Sequence, residues 1–165
     1  MTVADKQVIK KSFDELLAEK RIYQIINPRL VQAPPTISIK VAIEIMQTQR
    51  AGYIVIADRG KPVGIFTETD VVREILGKKV DWKRPVKDFM TPSPVCLRVK
   101  DTVGNAIDVM GKKRFYHIPL LDDKGYLVNV ISVRTLIRFL AEFYPAEVLN
   151  LPPVPNQIIE SAEGG

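Results

Sequence analysis

The feature that most constrains this chain is that it repeats itself. Laid over itself with a shift of 64 positions, Pro28 falls on Pro92, Val31 on Val95, Ala42 on Ala106, Ile43 on Ile107, Met46 on Met110, Ile54 on Ile118 and Asp58 on Asp122, without a gap. One extra residue at Lys124 moves the shift to 65, after which Gly60 meets Gly125, Val63 meets Val128 and Arg73 meets Arg138. Matches concentrated on one diagonal mean one structural unit used twice.

Each copy reads as β-α-β-β-α. Val41 to Arg50 places Val41 and Ile45, with Ala42 and Met46 on the adjoining side, at helical spacing, and Asn105 to Lys113 is its counterpart. Tyr53 to Ala57 is a β-rich run, Asp58-Arg-Gly-Lys61 a turn and Pro62 to Phe66 a second strand. Thr67-Glu-Thr-Asp70 opens another helix, Val71 to Leu76, which Gly77 stops. The expected fold class is α/β (α+β), with a first unit and its basic linker over 22–84 and a second over 85–145. Residues 1–21 predict an amphipathic helix with Ile9, Phe13, Leu16 and Leu17 in one stripe, and 146–165 a tail locked by Leu151-Pro-Pro-Val-Pro155.

At 165 residues the chain can bury about 70% of its unfolded surface, so its core needs neither disulfide nor metal. Its single cysteine, Cys96, and single histidine, His117, cannot form an intrachain disulfide or a Cys/His metal cluster. They lie in different elements with no supporting motif. Cys96 reads as a small buried hydrophobe on a strand from Val95 to Leu97, and no catalytic constellation emerges, so the chain is not expected to be an enzyme. The start, Met1-Thr-Val-Ala-Asp-Lys, lacks a signal layout, and apolar runs such as Tyr53 to Ala57 are too short to span a bilayer. The expectation is a soluble, cytoplasmic protein without metal or membrane contact.

Two tandem units, the first ending in Gly64-Ile-Phe-Thr-Glu-Thr-Asp70, resemble a pair of cystathionine β-synthase (CBS) domains, the free-standing Bateman module, over roughly Ile22 to Tyr144. In that family a glycine, a hydrophobic residue, any residue, Thr or Ser, two more residues and Asp form the ribose-phosphate motif of an adenine-nucleotide site, and Gly64 to Asp70 matches it in full. The resemblance implies units packed about a pseudo-twofold axis and a homodimer formed through helices. It also implies a regulatory adenosyl ligand, foremost AMP, ADP or ATP, with S-adenosylmethionine also open, and an effector protein that receives the signal. Gly64, Ile65, Phe66, Thr67, Thr69 and Asp70 are the ligand-binding candidates it supplies. Residues just before the second strand face the nucleotide cleft in such pairs, which adds Arg114 and His117 as phosphate partners and Gly52 and Tyr53 as base-pocket lining.

The chemistry of the motif stands without the family. A carboxylate at Asp70 can accept both vicinal hydroxyls of a ribose. Thr67 at a strand-to-helix turn offers a hydroxyl beside free helix N–H groups, and Gly64 lets a flat base approach the backbone. Thr67-x-x-Asp70 also has the spacing of a helix cap in which nothing is bound, and the two roles are compatible. In the second copy the aligned segment is Asn129-Val-Ile-Ser-Val-Arg-Thr135, where the glycine is Asn129, the hydroxyl is Ser132 and the acid is Thr135. Ribose capture by a carboxylate is lost there, so one competent site per chain is expected, with Arg134 left for a phosphate or an interface.

A nucleic-acid-binding or purely structural module is the competing class. Lys78, Lys79, Lys83, Arg84 and Lys87 cluster around Trp82, and Lys112, Lys113 and Arg114 form a second patch, within a net charge of +5. No helix-turn-helix or RNA-binding signature accompanies them, which leaves a ligand-sensing module as the favoured reading.

Overall fold

A computed structural model describes residues 13–143; the stretches 1–12 and 144–165, with Ile9 and the Pro-rich tail, lie outside the described residues. In each unit a helix is started by a hydroxyl cap. Ser38 Oγ accepts from Val41 N at the head of α1 (Ile39–Thr48), and Thr102 Oγ accepts from Asn105 N at the head of α3 (Val103–Lys113). Their buried faces are Ile39, Ala42 and Met46 in one and Val103, Ala106 and Met110 in the other.

The first sheet is ordered β1 (Gln32–Ala33), β2 (Tyr53–Asp58), β3 (Lys61–Thr67), β4 (Thr91–Pro92), and the second β5 (Leu97–Arg98), β6 (His117–Leu121), β7 (Leu127–Ser132). Strands β2 and β3 are antiparallel and joined by Arg59 (φ 48°) and Gly60 (φ 76°), two left-handed residues of the kind a two-residue hairpin uses. The second hairpin holds the extra residue. There Asp122 Oδ1 accepts from Lys124 N and Tyr126 N, and Gly125 takes the positive φ of 83°.

Strand β4 belongs by sequence to the second copy, yet it pairs with β3 of the first sheet, Gly64 opposite Pro92 and Ile65 opposite Thr91. The segment before it crosses over as well. Val86 and Phe89 are buried in the first core, and Val86 N donates to Ile37 O. The aligned Ile22 is buried in the second core, where Ile22 N donates to Asp101 O and Tyr23 N to Val99 O. Each unit therefore lends its leading segment to the other. A smaller apolar cluster of Val55, Leu127 and Val130, with Leu30, Tyr53 and Ala57 against it, joins the two sheets.

Two expectations change. The helix after Asp70 is a short α turn, α2 (Glu68–Asp70), that widens into a π turn over Val71–Ile75, because five-residue bonds such as Leu76 N to Val71 O replace the α pattern before Gly77 turns at φ 73°. Cys96 is half-buried and precedes the strand, its Sγ 3.3 Å from Pro94 O, and burial raises its thiol pKa. Of the N-terminal stripe, the described part is helical over residues 13–19, Leu16 and Leu17 pack against the second core, and a Cβ on Gly104 would stand 3.0 Å from Leu17 O. The last element is α4 (Val133–Phe143), whose buried side chains are Leu136 and Phe139.

Candidate functional site

Two strand-to-helix corners carry the candidate chemistry, β3 into α2 and β7 into α4. At the first, Asp70 is 3% exposed, and both its oxygens are engaged. Oδ2 accepts from Thr67 N and from Thr67 Oγ1, each at 2.8 Å, while Asp70 N donates back to Thr67 Oγ1 at 3.4 Å. Oδ1 accepts from Arg73 Nη2 at 2.7 Å and, at 3.5 Å, from Thr91 Oγ1 of β4. This is a closed capping box with an ion pair added. Gly64 is covered too: the Met90 thioether lies where a Cβ at position 64 would be, so the space the missing side chain leaves is filled from the second unit. Phe66 is fully buried in the first core, Ile65 is 8% exposed, and Thr69 is exposed on α2.

The second corner is open. Ser132 Oγ accepts from Thr135 N at 3.2 Å and lies 3.1 Å from Thr135 Oγ1, so the hydroxyl cap is kept without a carboxylate. Asn129 occupies the glycine position, 5% exposed, its Nδ2 donating to Asn27 O at 2.8 Å and its Oδ1 accepting from Val130 N. Beside this corner is a cleft of about 460 Å³ between the units. Its walls are Asn27 and Arg29 ahead of β1, the Arg50-to-Tyr53 turn into β2, and Glu68 of α2. Facing them are Tyr116 and His117, Ser132 of β7, and Arg134, Thr135 and Arg138 of α4.

Of the residues singled out in the sequence, Gly52, Tyr53 and His117 therefore come together with Ser132 and Thr135. Gly64 to Thr67, Thr69 and Asp70 stand at the other corner. Arg114 is exposed and caps the C-terminus of α3, in the left-handed region at φ 55°, the same conformation as its counterpart Arg50 at φ 48°. Tyr53 and His117 are themselves counterparts, each the first residue of its strand, and their rings meet in a tilted pair, centroids 4.9 Å apart and planes at 41°. Tyr53 Oη donates to Arg29 O at 3.4 Å. Burial, with the Arg134 guanidinium beside it, pushes the His117 pKa down to about 4, so the imidazole is neutral at pH 7. Burial also raises the Tyr53 phenol.

Arg29, Arg50 and Glu68 were not among the residues singled out. For Arg29 a signal lay in the alignment, which sets it opposite Ser93 just as it sets Arg134 opposite Thr69; Arg50 falls on Arg114 and Glu68 on Val133. In the basic patches, Lys78 pairs with Glu74, Arg84 with Asp88 while lying over the Phe89 ring, and Lys112 with Asp108. Among the described residues no group of His, Cys, Asp or Glu could hold a metal ion, and no helix is long and apolar enough to cross a membrane.

A 17.7 kDa protein of Acidianus ambivalens is 28% identical over 125 residues, 75% of this chain and 75% of that one. Three longer relatives are spanned over only 25%, 19% and 20% of their lengths. A CBS domain protein of Pyrobaculum aerophilum complexed with AMP superimposes with a TM-score of 0.68 at 24% identity, covering 76% of this chain and 99% of that one. A CBS domain pair solved in complex with 5′-methylthioadenosine and S-adenosyl-L-methionine gives a TM-score of 0.68 at 22% identity over 75% of this chain and 98% of that one. The CBS domain model itself matches twice, at residues 22–77 and 86–142. Two exchanged β-α-β-β-α units, each matched by that model, place this chain in the CBS domain family as a tandem pair.

Proposed function

We propose that this CBS pair is a regulatory module that binds an adenosyl ligand in the cleft beside Ser132 and Thr135 and passes the binding event to a partner, without catalysis of its own. The observation that carries the reading is what that cleft gathers in about 460 Å³: guanidinium groups for phosphate, two capping hydroxyls for phosphate or sugar, and aromatic faces at Tyr53 and Tyr116 for a base. Relatives of the same fold were solved with AMP and with S-adenosyl-L-methionine, which supports an adenosyl compound as the first ligand to test. The Gly64-to-Asp70 motif is a second seat that opens only when Met90 leaves Gly64 and Arg73 leaves Asp70. Local ion pairs at Lys78, Arg84 and Lys112 reduce the basic footprint a nucleic acid would need.

The proposed signalling form is a homodimer. Val72 and Leu76 beside α2 are each 63% exposed and Ile137 of α4 is 54% exposed, apolar surface that a second copy would cover. Light scattering that finds only an 18.6 kDa particle at micromolar concentration, with and without nucleotide, removes this part.

Calorimetric titration of the purified chain with AMP, ADP, ATP and S-adenosylmethionine tests the ligand. One site per chain is expected, and Asp70→Ala should leave its affinity within about twofold. A loss of about a hundredfold in that variant, the equivalent of ~3 kcal/mol of charge-assisted bonds, would move the ligand to the Gly64-to-Asp70 motif. No heat with any of the four ligands would end the reading.

A further inference from the structure

In the first unit Arg73 follows Asp70 by three residues and is paired to it at 2.7 Å. The repeat carries Arg73 onto Arg138 and Asp70 onto Thr135, so the second unit keeps the cation and has lost its counter-ion. Among the described residues Arg138 forms no ion pair, nor do Arg29, Arg50 and Arg134. All four line the one cleft, and Glu68 is the single carboxylate among its lining residues. Four cations against one anion leave 4 − 1 = +3 facing the space. The His117 imidazole adds nothing at neutral pH.

This changes what the sugar position can recognise. A carboxylate accepts hydrogen bonds from a free ribose diol, whereas a guanidinium only donates, and its planar fork matches two oxygens of a phosphate. Space is present at the same place: Arg138 and Asn27 line both the cleft and an adjoining cavity of about 310 Å³, whose other charged lining residues are Lys20 and Glu142.

Resting on the adenosyl-binding reading above, we propose that the cleft selects a nucleotide carrying a phosphate on its sugar in addition to the 5′-phosphate. Arg138 takes that second phosphate in the position where the first unit places Asp70. The 5′-phosphate and its neighbours fall to the remaining arginines.

The test is calorimetry on the full chain with adenosine 3′,5′-bisphosphate, adenosine 2′,5′-bisphosphate, ADP and AMP. ADP carries as many phosphates as the bisphosphates but keeps both at the 5′ end, which separates placement from phosphate number. At least one bisphosphate should bind about tenfold or more tighter than ADP and AMP, the gain of one charge-assisted contact. Arg138→Gln should cut that preference to about threefold or less, and Thr135→Asp, which restores the first unit's ion pair, should also abolish it. If ADP binds as well as both bisphosphates, or the preference survives Arg138→Gln, the sugar-phosphate proposal falls while the adenosyl reading stands. If none of the four nucleotides binds, the sugar-phosphate proposal falls, and the titrations with ATP and S-adenosylmethionine decide the adenosyl reading.

Discussion

The corners at Thr67–Asp70 and Ser132–Thr135 are the same turn with different electrical content. At the first, the acid that makes the motif recognisable also satisfies it: Thr67, Arg73 and Thr91 all donate to Asp70, and Met90 covers the glycine. At the second, Thr135 in place of the acid leaves a hydroxyl cap, an Arg138 that forms no ion pair among the described residues, and an open cleft. An intact motif is thus a statement about available chemistry, and whether that chemistry faces a ligand or its own backbone is decided by what packs over it. The degenerate copy is the one whose polar groups still point at space.

Substitution at the acid should break this comparison most sharply. Asp70→Ala strips the Thr67 N–H of its acceptor and the helix of its closed cap, and should cost about 3 kcal/mol of unfolding free energy, against about 0.5 kcal/mol for Thr135→Ala; urea titration of both variants reads the difference. Equal losses would mean the two corners are mechanically alike. Gly64→Ala comes next. Its Cβ has to displace the Met90 sulfur, an overpacking cost of about 2 kcal/mol, and Met90→Ala in the same chain should return part of it.

At the aligned position the sign of the argument reverses. Asn129 is a side chain that belongs there, so Asn129→Ala should cost about 1 kcal/mol through the lost bond to Asn27 O, measurable in the same titrations. The last effect is invisible at pH 7. An unfolded histidine titrates near 6.5 and His117 near 4, so between those values the unfolded chain holds more protons, and stability falls as pH drops through that window. His117→Gln should flatten the profile of melting temperature between pH 6.5 and 4, and a saturating phosphate ligand beside Arg134 should do so in part by raising the imidazole pKa.

Much of the architecture was legible because it is written locally and twice. The helices through Val41–Arg50 and Asn105–Lys113, their buried Ala42–Met46 and Ala106–Met110 pairs, and the hairpin at Arg59–Gly60 all follow from residues within a few positions of one another. What was not legible depends on distant neighbours. No local pattern says that Met90 will lie on Gly64, that Leu16 and Leu17 will be covered by the second unit, or that Tyr53 and His117 will meet. Those contacts arise where two repeats face each other, and a repeat's own sequence is silent about its partner's side chains. The π turn after Asp70 escaped for a related reason. Helical spacing in Val71 to Leu76 is too short to separate a four-residue from a five-residue bond.

The exchange of leading segments has a consequence for how the chain comes into being. Strand β4 and residues Val86 and Phe89 complete the first sheet and core, so a nascent chain that has delivered only residues through Arg84 holds an unfinished first unit. At about 5–20 residues per second the wait for the missing strand is short, but during it β3 offers an unpaired edge. A lone first repeat, made as a separate fragment, should find the missing edge on another copy of itself, and its association would then reenact between molecules the joining that the tandem chain performs within one.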